Sequence, residues 1–232
     1  SNPFGGTSLE RLACALADVA RSKPAPQLTP IVRDTFRTLA RHITEEPFRS
    51  LVTDVDANAA AIADAASRVR ELYPIVCTTV AIDQLEGGSD APNVMPGDVS
   101  ATINLRLLPG TSVEEAFELV RDAVRDPEVG VELVHTTPAG RVDTTSGAGY
   151  AELQAAFEHY YPDVVVVPSF VCGGTDALRY ESICDSVLRI SPFRPQPEDE
   201  ATGVHGTNER IPRRTYAQGI RVLISFLEST VL

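Results

Sequence analysis

Residues 98–107 read DVSATINLRL, and the alternation in this stretch decides the fold class. Val99, Ala101, Ile103, Leu105 and Leu107 fall on one side of an extended chain; Ser100, Thr102, Asn104 and Arg106 fall on the other. Successive side chains of a β-strand point to opposite faces, so the pattern is that of a strand with one face on a core and one in water. Such half-buried strands belong to antiparallel sheets. Pro109-Gly110 ends the run.

Working outward, residues 75–82 form a β-branched run and residues 129–135 read as a further strand. Between them, Ser112-Val113-Glu114-Glu115 is a capping-box pattern. Val113, Ala116, Phe117, Val120 and Val124 then form an apolar helical stripe. Thr7-Ser8-Leu9-Glu10 is a second capping box, and Leu9, Leu12, Ala13, Leu16 and Ala20 recur at helical spacing behind it. Lys23-Pro24-Ala25-Pro26 stops that helix, and another starts near Thr29-Pro30. Residues 57–72 are alanine-rich and helical. Residues 1–140 therefore read as an α+β unit with a helical excursion and with helices on one face of an antiparallel sheet.

Residues 136–149, rich in Thr, Gly and Pro, mark a crossing into a second domain, residues 141–232. Tyr150, Leu153, Phe157 and Tyr160 mark a helix, and residues 164–167 are an apolar run suited to a strand buried on both faces. Residues 186–190 read as another strand. A final helix over residues 215–227 places Tyr216, Ile220, Leu223 and Leu227 inward. This is an α/β layout, without internal repeats or low-complexity segments.

The chain has 232 residues, 43% hydrophobic and 22% charged, which is enough apolar content for real cores. No apolar run approaches membrane-spanning length. A net charge of −12 argues against non-specific nucleic-acid binding, which needs a basic surface to displace counterions. None of the four cysteines lies in a Cys-x-x-Cys pair, and all have apolar neighbours, so they read as buried free thiols in a reducing, cytoplasmic setting. The start, Ser1-Asn2-Pro3-Phe4, carries neither a methionine nor a signal peptide, as expected of a tag scar or of a chain that begins partway through a longer protein.

Three clusters carry possible chemistry. Asn93-Val94-Met95-Pro96 precedes the alternating strand, whose Arg106 is either a carboxylate clamp or a solvated surface arginine. Cys172-Gly173-Gly174-Thr175-Asp176 follows the apolar run. It is either a ligand-approach turn or a plain strand-to-helix turn. His205 stands in Gly203-Val204-His205-Gly206-Thr207-Asn208-Glu209-Arg210-Ile211. One imidazole is not a zinc site, which needs three or four ligands.

Taken in order, Asn-Val-x-Pro, Arg-Leu-Leu-Pro-Gly, Gly-Gly-Thr-Asp-Ala, Ser191-Pro192-Phe193 and His-Gly-x-Asn-Glu-Arg-Ile resemble the dinuclear zinc exopeptidases and deacylases. This metallopeptidase family includes acetylornithine deacetylase, succinyl-diaminopimelate desuccinylase, aminoacylase and carboxypeptidase S. The resemblance covers essentially the whole chain, and the helical excursion looks most like the carboxypeptidase S branch. It implies an antiparallel-sheet lid that dimerises (residues 1–140), followed by the C-terminal part of a zinc-exopeptidase α/β domain (residues 141–232).

By that resemblance His205 is a ligand to one of two zinc ions. Asn93 and Arg106 bind substrate, the former often across a dimer, and Gly173, Gly174 and Thr175 line the substrate pocket. The family's Gly-Gly-Thr-Asp-Ala is usually followed by Arg; here Leu178 intervenes before Arg179. The family's His-x-Asp motif, bridging aspartate and Glu-Glu pair belong to a first half that this sequence does not contain.

The expected parent is a metal-dependent hydrolase that cleaves an amide bond next to a free carboxylate, with a small peptide or N-acyl amino acid as substrate. The isolated chain is expected to be inactive and to hold no zinc by itself, because a single protein ligand binds zinc weakly. The expected partner is a second copy, paired through the lid; neither nucleic acid nor membrane is expected. The alternative is a non-catalytic dimerisation or binding module.

Overall fold

The computed structural model describes residues 5–89, 91, 93–137, 140–142, 145–147, 149–194 and 206–231. The chain divides into two compact units, Ser1–Ala139 and Gly140–Leu232.

In the first unit, α1 (Ser8–Arg21) and a helical excursion precede a β-hairpin and one more helix. The excursion comprises α2 (Pro30–Leu39), α3 (Phe48–Leu51), a 3-10 turn (Val52–Asp54), α4 (Ala59–Ala66) and α5 (Tyr73–Val76). The hairpin strands are β1 (Thr79–Gly87) and β2 (Val99–Arg106), and α6 (Val113–Ala123) follows. The second unit holds α7 (Tyr150–Tyr160), a 3-10 turn (Asp176–Arg179) and α8 (Arg213–Val231).

Both capping boxes form. The Thr7 hydroxyl accepts from the Glu10 amide at 3.2 Å, and the Glu10 carboxylate accepts from the Thr7 amide at 2.7 Å. Ser112 and Glu115 repeat the exchange at 3.1 and 2.8 Å. Each box satisfies donors that the first helical turn leaves without an intrahelical partner. Pro30 begins α2, where its missing N–H costs nothing. Pro74 likewise stands in the first turn of α5, which takes in Ile75 and Val76, so β1 begins only at Thr79.

β1 and β2 pair antiparallel, and β2 alternates half-buried and exposed along its whole length. Val80 faces Leu105 and Ile82 faces Ile103; after a bulge at Asp83 the ladder resumes with Gln84 facing Thr102 and Leu85 facing Ala101. The extra residue keeps Leu85 on the apolar face although it lies an odd number of residues from Ile82. A Cβ on Gly87 would lie 2.8 Å from the Asp98 carbonyl, and its φ of +115° suits glycine, so this position lets the strands close.

Helices α1 and α6 cover the apolar face. Val19, Val120 and Ala123 are buried there against Val80, Ile103, Leu105 and Val131. The Arg11 guanidinium donates to both carboxylate oxygens of Asp126, at 2.9 and 2.8 Å, tying α1 to the segment after α6. The strand ends one residue sooner than its pattern, at Arg106. Leu108 rather than Leu107 is then buried, its amide donating to the buried Thr78 hydroxyl at 3.2 Å.

Four expectations are corrected. Residues 129–135, 164–167 and 186–190 join no ladder among the described residues, where β1 and β2 form a two-stranded sheet. Their apolar side chains still pack, Val131 below α6 and Val164, Val166 and Leu188 around α7 and α8. Apolar side chains can thus be buried without the cross-strand partner that a strand requires. On α1 the buried stripe is Leu12, Ala15 and Val19, leaving Leu9 46% exposed. Of the cysteines only Cys77 is buried, and burial pushes its thiol pKa up; Cys14 and Cys184 are exposed.

The fourth correction concerns α8. Its inward residues are Thr215, Gly219, Val222 and Phe226, of which Val222 and Phe226 pack with Leu153, Phe157 and Tyr161. Tyr216, Ile220, Leu223 and Leu227 lie on the outer side, 38–54% exposed. Glycine decides between the stripes. A Cβ on Gly219 would fall 2.6 Å or less from two ring atoms of Phe193 and 3.0 Å from the Pro192 carbonyl. The ring of Phe193 stacks on Tyr216 with centroids 5.5 Å apart, and the Tyr161 hydroxyl donates to that same carbonyl at 2.9 Å.

Two stability predictions follow from these contacts. Ser112→Ala should lower the unfolding free energy by about 1 kcal/mol in urea titration, the usual cost of losing an N-cap. Gly219→Ala should destabilise by up to about 2 kcal/mol, the overpacking cost of about 1–3 kcal/mol less the helix-propensity gain of about 1 kcal/mol. Phe193→Leu in the Gly219→Ala background should recover part of that loss. A Gly219→Ala protein more stable than wild type would show that Phe193 does not hold α8.

Candidate functional site

Arg106 closes β2 and pairs in register with Thr79. It projects from the polar face together with Asn104, opposite the side on which Ile103 and Leu105 meet the helices. A guanidinium so placed keeps its planar fork turned away from the core, as a carboxylate clamp requires.

Asn93 lies in the connection between the strands, exposed, with Val94 and Met95 beside it 55% and 42% exposed. The far end of the connection is pinned to α1, where the Ser8 hydroxyl donates to the Gly97 carbonyl at 2.9 Å. Asn93 precedes β2 and Arg106 ends it. Eight strand residues separate the two ends, on the order of 20 Å at the usual rise per residue.

Gly173, Gly174 and Thr175 form an exposed bend that enters the 3-10 turn at Asp176. A Cβ on Gly174 would meet nothing within 4 Å. Neither local crowding nor a left-handed φ requires glycine there; its small size leaves space on the outer side of the bend. Arg179 pairs with Asp176 at 3.6 Å, with both side chains more than 80% exposed, an arrangement worth little in water.

His205 lies outside the described residues. Just after it, Asn208 takes a left-handed φ of 61°, and its carbonyl accepts from Arg210 at 3.4 Å. Asparagine tolerates that conformation better than most residues. Among the described residues no group of three or more His, Cys, Asp or Glu side chains is placed to hold a metal ion. Those residues alone do not fit a zinc centre.

Glu181 has no counterpart in the sequence reading. Both its carboxylate oxygens accept from the Arg141 amide, at 3.1 and 3.0 Å, and Oε1 also pairs with Arg189. The Arg141 amide, then the Arg189 guanidinium, hold its pKa below the usual glutamate value. Nothing in Tyr180-Glu181-Ser182 signals this role, because the partners come from residues 40 positions upstream and 8 downstream. Gly219 was also passed over, although an isolated glycine inside a helical pattern is a signal for it.

The chain matches known proteins along most of its length. The family model described as Peptidase dimerisation domain matches residues 38–132. The N-fatty-acyl-amino acid synthase/hydrolase PM20D1 of Mus musculus is 32% identical over 171 residues, covering 70% of this chain and 33% of that protein. A probable carboxypeptidase S-like 2 of Dictyostelium discoideum is 26% identical over 99% of this chain and 44% of its own length. The chain thus spans less than half the length of these relatives.

Among solved structures, an M20 family metallo-carboxypeptidase, Sso-CP2 from Sulfolobus solfataricus, superposes with a TM-score of 0.55 at 19% identity. The superposition covers 93% of this chain and 52% of that one, and it shows a shared fold. No helix among the described residues is long and apolar enough to cross a membrane. By these likenesses, and by the order of its motifs, the chain belongs to the M20 peptidase family.

Proposed function

We propose that residues 1–140 act as a pairing lid and residues 141–232 as the C-terminal part of the catalytic domain of a metal-dependent hydrolase. Its substrate is a dipeptide or an N-acyl amino acid, cleaved at the amide bond next to the free carboxylate. The observation that carries this reading is the match of 70% of the chain to a protein named for synthesis and hydrolysis of N-fatty-acyl amino acids.

Arg106 binds the substrate carboxylate. Its place on the polar face of β2 supports this role. Asn93 serves the site of a partner copy, which its exposed place in the connection between the two strands supports. The dimerisation-domain match over residues 38–132 supports pairing through the same unit. Gly173, Gly174 and Thr175 border the substrate, which is supported by the open space beside Gly174.

His205 is one metal ligand of the complete site, which carries two zinc ions. The remaining ligands and the general base belong to the complete enzyme, and this chain alone is expected to be inactive. The proposed compartment is the cytoplasm, where exposed thiols such as Cys14 and Cys184 stay reduced. A second reading, a non-catalytic dimerisation or binding module, is favoured by the dimerisation-domain match.

Kinetics of the complete enzyme on an N-acyl amino acid separate the roles. His205→Ala should abolish turnover, because losing a ligand disables the metal as Lewis acid. Arg106→Ala should raise KM about 10- to 100-fold with kcat little changed, the loss of one charge-assisted hydrogen bond made equally in ground and transition states. Near-normal turnover in His205→Ala would refute the metal assignment.

The isolated 232-residue chain, dialysed and subjected to elemental analysis, should retain well below one zinc per chain. Stoichiometric zinc that resists a chelator would overturn that expectation and reveal a complete ligand set within these residues.

A further inference from the structure

We propose that Glu181 is a positioning residue for the turn at Gly173, Gly174 and Thr175, fastening it to two segments distant in sequence. The inference rests on the reading that this turn borders the substrate.

The turn has little packing of its own: Gly173, Gly174, Thr175 and Asp176 are all exposed. A chain of short-range backbone bonds runs from it toward Glu181. Leu178 donates to Thr175 at 3.3 Å and Tyr180 to Ala177 at 3.0 Å. Beyond the glutamate, Ile183 and Cys184 both donate to the Tyr180 carbonyl, at 3.0 and 2.9 Å. Successive bonds of this kind leave the segment few internal degrees of freedom, so its place follows from wherever it is anchored.

Glu181 supplies such an anchor. Its carboxylate takes the Arg141 amide on both oxygens and Arg189 on one, and the Arg189 guanidinium also donates to the Arg141 carbonyl at 3.1 Å. The Arg141 side chain reaches on to the carbonyls of Cys184 and Asp185, at 3.1 and 2.9 Å. Three segments, around residues 141, 181 and 189, are thus joined through one carboxylate.

The Glu181 and Arg189 side chains are each only 17% exposed, so solvent screens this pair less than the surface pairs elsewhere in the chain. The junction is also tight. A Cβ on Gly140 would lie 3.1 Å from both Leu178 and Arg189 and 3.2 Å from Glu181. Removing the carboxylate deprives the Arg141 amide and the Arg189 guanidinium of the acceptor they share.

Amide hydrogen exchange on the 232-residue chain tests this directly. Glu181→Ala should accelerate exchange in residues 172–180 about fivefold or more, with α7 and α8 unchanged, as local rather than global opening requires. Glu181→Gln should fall between it and wild type, because its amide oxygen still accepts one bond from Arg141. Unchanged exchange in residues 172–180, or equal acceleration in α7 and α8, overturns the proposal.

In the complete enzyme, Glu181→Ala should raise KM for an N-acyl amino acid with kcat within about twofold of wild type, and Glu181→Gln should restore part of the difference. A fall in kcat at constant KM overturns it as well. A wild-type enzyme that cleaves no such amide would refute the proposed function, while the exchange result would still decide the role of Glu181.

Discussion

The hairpin obeys a constraint of parity, and the first unit depends on it. Along β2 every second residue enters the layer beneath α1 and α6, and every other residue faces outward. A slip of one residue would place Asn104 and Arg106 against Val19 and Val120 and expose Ile103 and Leu105, burying unpaired polar groups. Thr78 and Leu108 lock one end of the hairpin and Gly87 closes the other. The outward aim of Arg106 is a by-product of this packing; any role it has on the polar face comes with the burial of its neighbours.

Much of this was legible in the sequence because it is local. A capping box places acceptor and donor three residues apart, and both boxes form as written. The alternation of residues 98–107 gave the correct two faces for the same reason. The second unit was less legible. α8 carries two apolar stripes, one through Thr215, Gly219, Val222 and Phe226 and one through Tyr216, Ile220, Leu223 and Leu227. Periodicity identifies stripes but does not rank them. The more hydrophobic stripe is the outer one, because only the glycine side lets Phe193 approach the helix backbone.

The apolar runs fail for a related reason. Residues 164–167 look like a buried strand, and Val164 and Val166 are packed, yet a strand is defined by a partner that a single segment cannot reveal. The candidate site shows the same limit. Gly173, Gly174 and Thr175 were proposed from composition and motif order. Their tether, Glu181, was not, since its meaning lies in Arg141 and Arg189. Asn93 and Arg106 were proposed from their order in the chain, which carries no information about their separation in space.

The bulge at Asp83 bears on how this hairpin tolerates changes in length. Ile82 and Gln84 already face consecutive partners, Ile103 and Thr102, so Asp83 is a spare codon within the ladder. Losing it would straighten the strand and leave every later pair matched. Losing one residue from the unbulged β2 would exchange the two faces of the rest of that strand. In a lineage of such proteins, single-residue gaps should accumulate at the β1 position and be purged from its partner, so the hairpin records its own reading frame.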